Sequence, residues 1–407
     1  MPSKRPSVAT GWLMHGILVV NAGSSSVKFQ IFSLVRGGDP QRFIKGQIDG
    51  IGVHPRLRAV SHDGSPLVDR QYATSEIADV PAAIVAAGSW LRESQTVELV
   101  AVGHRVAHGG SDYDRPVVVD QAILARLKRY SVLAPLHQLN NLAPIEALFA
   151  VRPPLVQVAC FDTAFHRTQD GVSDRYAIPE RFYSEGVKRY GFHGLSYEYI
   201  AGRLAELAPN VAKGRVIIAH LGSGASMCAI ADGKSVETTM GFTPLDGLPM
   251  GTRPGQIDPG VLLFMMAQKG MTAADIEKLL YRESGLKGIS GISSDMRELE
   301  ASDAPEAALA IDYFVHRIGL TAGMLSAALS GIDAFVFTAG IGENSSAIRA
   351  RVAEKLGWLG VIFDPIANRD GSTLISKPQS KVALYVLPTD EELMIARHTV
   401  SLLGQRT

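Results

Sequence analysis

Cysteine is nearly absent: Cys160 and Cys228 are the only two in 407 residues, and each lies inside an apolar run. A disulfide framework and a cysteine-built zinc ribbon are thereby excluded, and a reducing, cytoplasmic setting is expected. Net charge is missing too, since 40 Lys and Arg balance 40 Asp and Glu. The cationic footprint of a nucleic-acid or membrane-surface binder is therefore lacking. No apolar run approaches the ~18 residues of a membrane helix. The first sixteen residues, MPSKRPSVATGWLMHG, have no apolar core of the ~7 to 15 residues that a signal peptide needs. Residues 1–16 are expected to form a disordered tail, with Met14 as an alternative start of translation. A Walker A loop is also lacking: Gly233-Lys234-Ser235 has Cys228 where the first glycine belongs, and ADGKSV reads better as a hairpin turn. His104 and His108 have the spacing of paired metal ligands, but no Glu intervenes and the segment reads as loop, so zinc is not expected. What remains as partner is a small molecule or a second copy of the chain.

The length exceeds the ~250 to 300 residues at which a single core stops growing, so two domains, or one domain doubled, are expected. Strand-like runs occur at Ile17 to Val20, Val27 to Phe32, Val97 to Val102, Leu155 to Cys160, Val216 to Ala219, Met227 to Ile230 and Ala334 to Thr338. Helical patterns lie between and after them, at Pro81 to Arg92, Gln121 to Ser131, Leu142 to Ala150, Tyr197 to Leu207, Pro259 to Lys269, Thr272 to Glu283, Pro305 to Ser330 and Ser345 to Leu356, the longest of them stopped by Gly331. The mixture indicates an α/β protein. Setting LVVNAGSSSVKFQIF above IIAHLGSGASMCAI aligns Gly23 with Gly222 and Ser24 with Ser223, so each half carries one strand, small-residue turn, strand unit.

Several motifs could carry chemistry. The glycine and serines of NAGSSSVK let backbone N–H groups approach an anion, and Lys28 adds charge, although a serine-rich turn alone is more often structural. FVFTAGIGENSS runs from a buried strand through Gly340 and Gly342 toward a helix capped near Asn344 or Ser345, an arrangement suited to phosphate. It nearly matches the dinucleotide fingerprint, but Ser345 replaces the third glycine, which leaves a nicotinamide-dependent dehydrogenase as a weak competitor. Arg105 and Arg253 each sit among glycines that would expose them to a carboxylate or phosphate. Asp162 follows a strand end, His193 lies in the turn RYGFHGLS, and Asp295 and Arg297 share the turn SSDMRE. Glu391 and Glu392 open a C-terminal helix, where carboxylates complement the helix dipole or serve a magnesium ion.

Together these segments resemble the acetate kinase family, within the group that shares the sugar kinase, Hsp70 and actin fold. The matching stretches are VVNAGSSSVKF, GHRVAHGG, APLH, FDTAFH, RYGFHG, HLGSG, GFTPLDGL, MGTRPGQIDP, SSDMRE, TAGIGEN and PTDEEL, in family order from residue 17 to about residue 400. The resemblance implies two duplicated actin-like, ribonuclease H-like domains with an active-site cleft between them. It divides the chain into 17–165 completed by 392–407, and 166–391. It also implies a homodimer and the Mg²⁺-dependent, reversible transfer of the ATP γ-phosphoryl group to acetate, giving acetyl phosphate and ADP, with Mn²⁺ as a substitute ion.

By that resemblance Arg105 binds the carboxylate, Asp162 is the active-site aspartate, and His193 and Arg253 stabilise the transition state. Asn21 and Glu391 belong to the magnesium site. Ser24, Ser26 and Lys28 face phosphates, and His220, Leu221, Gly222, Ser223, Gly224, Asp295, Met296, Arg297, Gly340, Ile341, Gly342, Glu343 and Asn344 form the nucleotide segments. Ala107, Leu136, His137, Phe192 and Pro244 surround the acyl group. Acetate is ionised at pH 7, so Asp162 is expected to orient an arginine or a magnesium-bound water rather than act as a base. Three positions depart from the common pattern: Ser223 for Asn, Gln138-Leu139 for Asn-Pro, and Ala107 for Val. The last enlarges the acyl pocket, making propionate the alternative substrate, since a methylene in such a pocket is worth ~1 to 3 kcal/mol. A non-catalytic ATP-driven switch and an acyl phosphate hydrolase are the rivals from other classes.

Overall fold

A computed structural model describes residues 14–23, 25–34, 38–94, 97–134 and 137–405. The expected tail up to residue 13, Ser24 and Leu136 lie outside the described residues. The chain divides into two compact units: residues 1–108, 115–161 and 392–407, and residues 109–114 and 162–391.

The first unit is built on an eight-stranded sheet. Its strands are β1 (Met14–Ala22), β2 (Ser26–Ser33), β3 (Gln41–Asp49), β4 (Arg56–Ser61), β5 (Pro66–Gln71), β6 (Val97–Val106), β7 (Val117–Val118) and β8 (Val156–Phe161), in the spatial order 5-4-3-2-1-6-8-7. β1 pairs antiparallel with β2 and parallel with β6. Helices Val80–Ser94 and Gln138–Val151 cover one face, where Val27, Phe29, Ile31, Ile48, Ala83 and Leu148 form the core. Strand β1 starts at Met14, so Met14 to Gly16, assigned to the tail by the sequence pattern, are paired backbone.

The second unit has a five-stranded sheet of β9 (Arg215–Leu221), β10 (Ala225–Ala231), β11 (Lys234–Thr238), β12 (Ala334–Thr338) and β13 (Ala383–Val386), in the order 11-10-9-12-13. β9 pairs antiparallel with β10 and parallel with β12, repeating the scheme of β1 with β2 and β6. The long helix Pro305–Ala328 packs Phe314, Ile318 and Leu325 against Ile217, Met227 and Phe335. ADGK does form the β10–β11 hairpin, with Asp232 and Gly233 at φ 48° and 74°, the two positive angles of a type I′ turn.

Four local expectations need correction. GHRVAHGG is not a loop through its first half, because β6 runs to Val106 and extended backbone separates His104 from His108. Thr272 to Glu283 is not one helix: Ala273–Lys278 gives way to a wide turn at Leu279–Glu283. Helix Gln138–Val151 begins four residues before the expected Leu142. Gly340 and Gly342 lie inside a short helix, Ala339–Asn344, instead of an open turn, with Ala339 at φ 64° making the bend out of β12 and Ser345 capping the next helix.

Candidate active site

In the first unit the turn after β1 is closed by Gly23, whose N–H donates to the Ser26 carbonyl at 2.8 Å. Antiparallel register sets Asn21 directly opposite Lys28, so both project from one face of the sheet. Arg105, near the end of the neighbouring parallel strand β6, reaches back with Nη1 3.5 Å from Asn21 Oδ1. Arginine, lysine and carboxamide are thus clustered at the C-terminal ends of β1 and β6, where open α/β sheets present ligand-handling groups.

Two buried amides at the start of helix Gln138–Val151 fix the segment that follows Arg105. Asn141 accepts from Ala107 N–H at 2.9 Å and donates to the Ala22 carbonyl at 2.7 Å. Gln138, which is fully buried, accepts from His108 N–H at 3.1 Å and donates to the His108 carbonyl at 3.0 Å. The departure at Gln138-Leu139 therefore has a structural account: the Gln138 carboxamide bonds both the N–H and the carbonyl of His108, just past the end of β6. His137 precedes the helix as its N-cap and is exposed, and Ala107 is buried.

In the second unit Asp162 follows directly on β8 and is buried. Its carbonyl accepts from Gly194 N–H at 2.8 Å. A Cβ at Gly194 would fall 2.3 Å from that carbonyl, so only glycine lets the two segments meet. His193, immediately before Gly194, adopts φ 59° and ψ 22°, a left-handed conformation rare for a residue with a side chain. Phe192 is part of the core, and its carbonyl accepts from Nε2 of the buried His166 at 3.0 Å. Burial pushes His166 down to about 4, as it does His104.

The His193 ring is fixed on two sides. Nδ1 lies 2.8 Å from Ser226 Oγ, and the imidazole stacks on that of His220 with centroids 4.1 Å apart. Ser226 and His220 are cross-strand partners on β10 and β9, which explains why one ring can meet both. His220 Nδ1 in turn lies 2.8 Å from Ser196 Oγ, itself 2.9 Å from Thr389 Oγ1. Two imidazoles this close cannot both carry a proton cheaply. Arg253 donates from Nη1 to the Pro244 carbonyl at 2.7 Å. The other end of its guanidinium converges with His193 on Gly224: a Cβ there would lie 2.9 Å from Arg253 Nη2 and 3.2 Å from His193 Nε2.

Gly222 and Ser223, just before that glycine, border a cavity of about 670 Å³. Its walls also include Asp295, Met296, Arg297, Gly340, Ile341 and Asn344, so three separate nucleotide segments of the sequence reading share one enclosure. Asp295 caps helix Met296–Glu300 and binds Arg297 through both carboxylate oxygens, an interaction that holds its carboxyl down at about 2. Ser294, Glu300 and Ser345 line the cavity as well and were not anticipated. His220, Leu221, Gly224, Gly342 and Glu343, expected with the nucleotide, are not among the residues that line it. The carboxylate of Glu343 turns away to accept from Ala339 N–H at 2.8 Å and Thr389 N–H at 3.0 Å, bracing the loop that leads to Glu391. Glu391 opens the last helix, Glu391–Gly404. Among the described residues no group of three or more His, Cys, Asp or Glu is placed to hold a metal alone.

The acetokinase family model matches residues 16–397. The chain belongs to the acetokinase family. It is 64% identical over 394 residues to the acetate kinase of Nitrobacter hamburgensis, covering 97% of this chain and 98% of that protein. Among solved structures, acetate kinase from Porphyromonas gingivalis superposes with a TM-score of 0.87 at 37% identity, over 96% of this chain and 100% of that one. A propionate kinase from Francisella tularensis gives 0.89 at 36% identity, over 95% and 100%. The two sheets with their repeated hairpins are accordingly actin-like units, and the family's enzymes are phosphotransferases with a carboxyl acceptor.

Sequence reasoning missed Ser226 and Ser196 because each stands in an otherwise ordinary element. The signal available was a serine in the apolar strand ASMCAIA, a position that becomes informative only once His193 is seen above it.

Proposed function

We propose that the chain is an acetate kinase that moves the γ-phosphoryl group of ATP reversibly to acetate, with Mg²⁺ as the nucleotide's counter-ion. The observation that carries this reading is the convergence of His193 and Arg253 on Gly224, beside a polar cavity walled by Ser223, Asp295 and Gly340. Phosphoryl transfer spreads negative charge over three equatorial oxygens, so positioned donors supply most of the catalysis. The nucleotide occupies the cavity, and His193 Nε2 and Arg253 Nη2 are the donors for the transferring group. Arg105 holds the acetate carboxylate, and Asp162 orients donors without serving as a base, since acetate is ionised already. Lys28 and Ser26 serve the phosphates.

The donor set suits magnesium. Asn21 and Glu391 offer hard oxygen ligands, the donor type that Mg²⁺ takes beside phosphate and water. When bound, Mg²⁺ neutralises phosphate charge and aligns the chain of phosphates.

Two further features belong to this reading. The helix Pro259–Lys269, PGVLLFMMAQK, has no buried residue, and Leu263, Phe264 and Met266 are 66%, 52% and 49% exposed, which supports a homodimer formed through this face. Light scattering on Leu263→Asp should give monomers, whereas a monomeric wild type would refute the dimer. The two cysteines, Cys160 and Cys228, are both buried, which fits a reducing cytoplasm.

The test is steady-state kcat/KM for acetate with saturating Mg-ATP, trapping acyl phosphate as hydroxamate. Acetate-dependent hydroxamate and stoichiometric ADP are expected. ADP release without hydroxamate would overturn the reading.

A further inference from the structure

His193 is held at Nδ1 by a hydroxyl that is itself held. Tyr197, one helical turn after His193, is completely buried, and its phenol oxygen lies 2.5 Å from Ser226 Oγ. Among the described residues that serine is the phenol's hydrogen-bond partner. The three groups form a chain, Tyr197 to Ser226 to His193, closed at the buried end and ending at Nδ1, 2.8 Å from the serine.

Counting protons along this chain gives it a direction. Burial, with the nearby Cys228 and Glu391 adding to it, raises Tyr197 well above the ordinary phenol range, so the phenol keeps its hydrogen. That hydrogen must find an acceptor, because a buried donor left unmade costs about 1 to 3 kcal/mol. Ser226 Oγ accepts it. The serine has one hydrogen of its own, and the imidazole Nδ1 is its acceptor. A neutral imidazole that accepts at Nδ1 carries its hydrogen at Nε2. The opposite arrangement, with His193 donating to Ser226 and Ser226 to Tyr197, would strand the phenolic hydrogen inside the core. The cation of Arg253 at Gly224 and the stacked ring of His220 both oppose an added proton on the ring.

We infer that Tyr197 and Ser226 are positioning residues that fix His193 as its Nε2–H tautomer, so that it meets the transferring phosphoryl group as a hydrogen-bond donor. The phosphoryl part of this rests on the function proposed above; the tautomer does not. The carboxamide-like role also frees His193 from any need to gain or lose a proton during transfer.

The decisive experiment is a ¹⁵N–¹H multiple-bond spectrum of the full-length protein labelled with ¹⁵N-histidine, with His193 assigned by difference against His193→Gln. Wild type should show the Nε2–H pattern. Ser226→Ala should lose that preference and lower kcat about 10- to 100-fold with little change in KM for acetate, and Tyr197→Phe should do the same to a smaller degree. Ser226→Thr, which restores a hydroxyl, should recover both readouts. If Ser226→Ala does not fold, Tyr197→Phe, which removes one oxygen atom, carries the test alone. An Nδ1–H pattern in wild type, or an unchanged tautomer and kcat in both Ser226→Ala and Tyr197→Phe, overturns the inference. A wild type that forms no acyl hydroxamate refutes the kinase reading instead, while the tautomer pattern still decides the relay.

Discussion

Replacing Gly224 by Ala isolates the contribution of close approach at the proposed transfer site. The added methyl group would stand 2.9 Å from Arg253 Nη2 and 3.2 Å from His193 Nε2, against 3.4 Å for ordinary contact, so the guanidinium must retreat by about 0.5 Å. Arg253 is tethered to the Pro244 carbonyl through Nη1, and His193 to Ser226 through Nδ1, so neither can withdraw without straining a bond at its far side. The atoms displaced are side-chain ends, and the fold should feel little: a Tm within a few degrees of wild type is expected. The chemistry should feel much more, because misplacing a catalytic donor by a fraction of an ångström to 1 Å costs up to about 10²-fold, or about 2.7 kcal/mol of barrier. The hydroxamate assay should therefore show kcat reduced 30- to 100-fold on the scale of that estimate, with the acetate KM changed far less, since Arg105 is untouched. A variant with wild-type Tm and kcat within threefold would refute the claim that His193 and Arg253 act together at this glycine.

Two further outcomes follow from buried polar groups. Gln138→Ala strips both backbone partners from His108 and should destabilise the first unit by about 2 to 4 kcal/mol in urea unfolding, while raising KM for acetate through the adjoining Arg105 segment; an unchanged KM would separate Gln138 from the site. His166 and His104 are each pushed by burial to about 4 from the ordinary histidine value of 6.5, so the folded state refuses protons that the unfolded chain accepts between those limits. Stability is fully present above pH 6.5 and falls as pH drops toward 4, with each group contributing up to about 1.4 kcal/mol per pH unit. The shift of the urea midpoint between pH 7 and pH 5 should shrink in His166→Gln; an identical shift would show that His166 is not one of the groups responsible.

Much of the second unit was legible because its signals are local. Ala334 to Thr338 is a pure apolar run, and Pro259 to Lys269 is bracketed by an aspartate cap and a glycine stop, so both were read with their observed ends. The Asp232-Gly233 turn likewise needs only its own two residues. Strands β3 to β5 were not legible: QRFIKGQID, RLRAVS and PLVDRQ carry charge on their exposed face, and only pairing across the sheet makes them strands. For the site, residues with distinctive chemistry among glycines could be picked out singly, as Arg105, His193 and Arg253 were. Glu343 was placed with the nucleotide from its motif; its carboxylate also accepts from the N–H of Ala339 in its own helix and from that of Thr389, 46 residues further along the chain. Such a role depends on where the chain returns, which no local pattern encodes.

The way the chain is shared between its units sets an order on its own manufacture. The first unit includes residues 392–407, and there Ile395 and Thr399 lie so close to Gly103 on β6 that a Cβ at that glycine would fall 2.5 Å from each. Everything from Asp162 to Glu391 is translated before those two side chains exist. A growing chain therefore holds β6 with part of its covering absent while the whole second unit emerges, so the unit begun first is the unit completed last. Domain-by-domain completion from the N-terminus, the usual course on the ribosome, is not the order this connectivity gives.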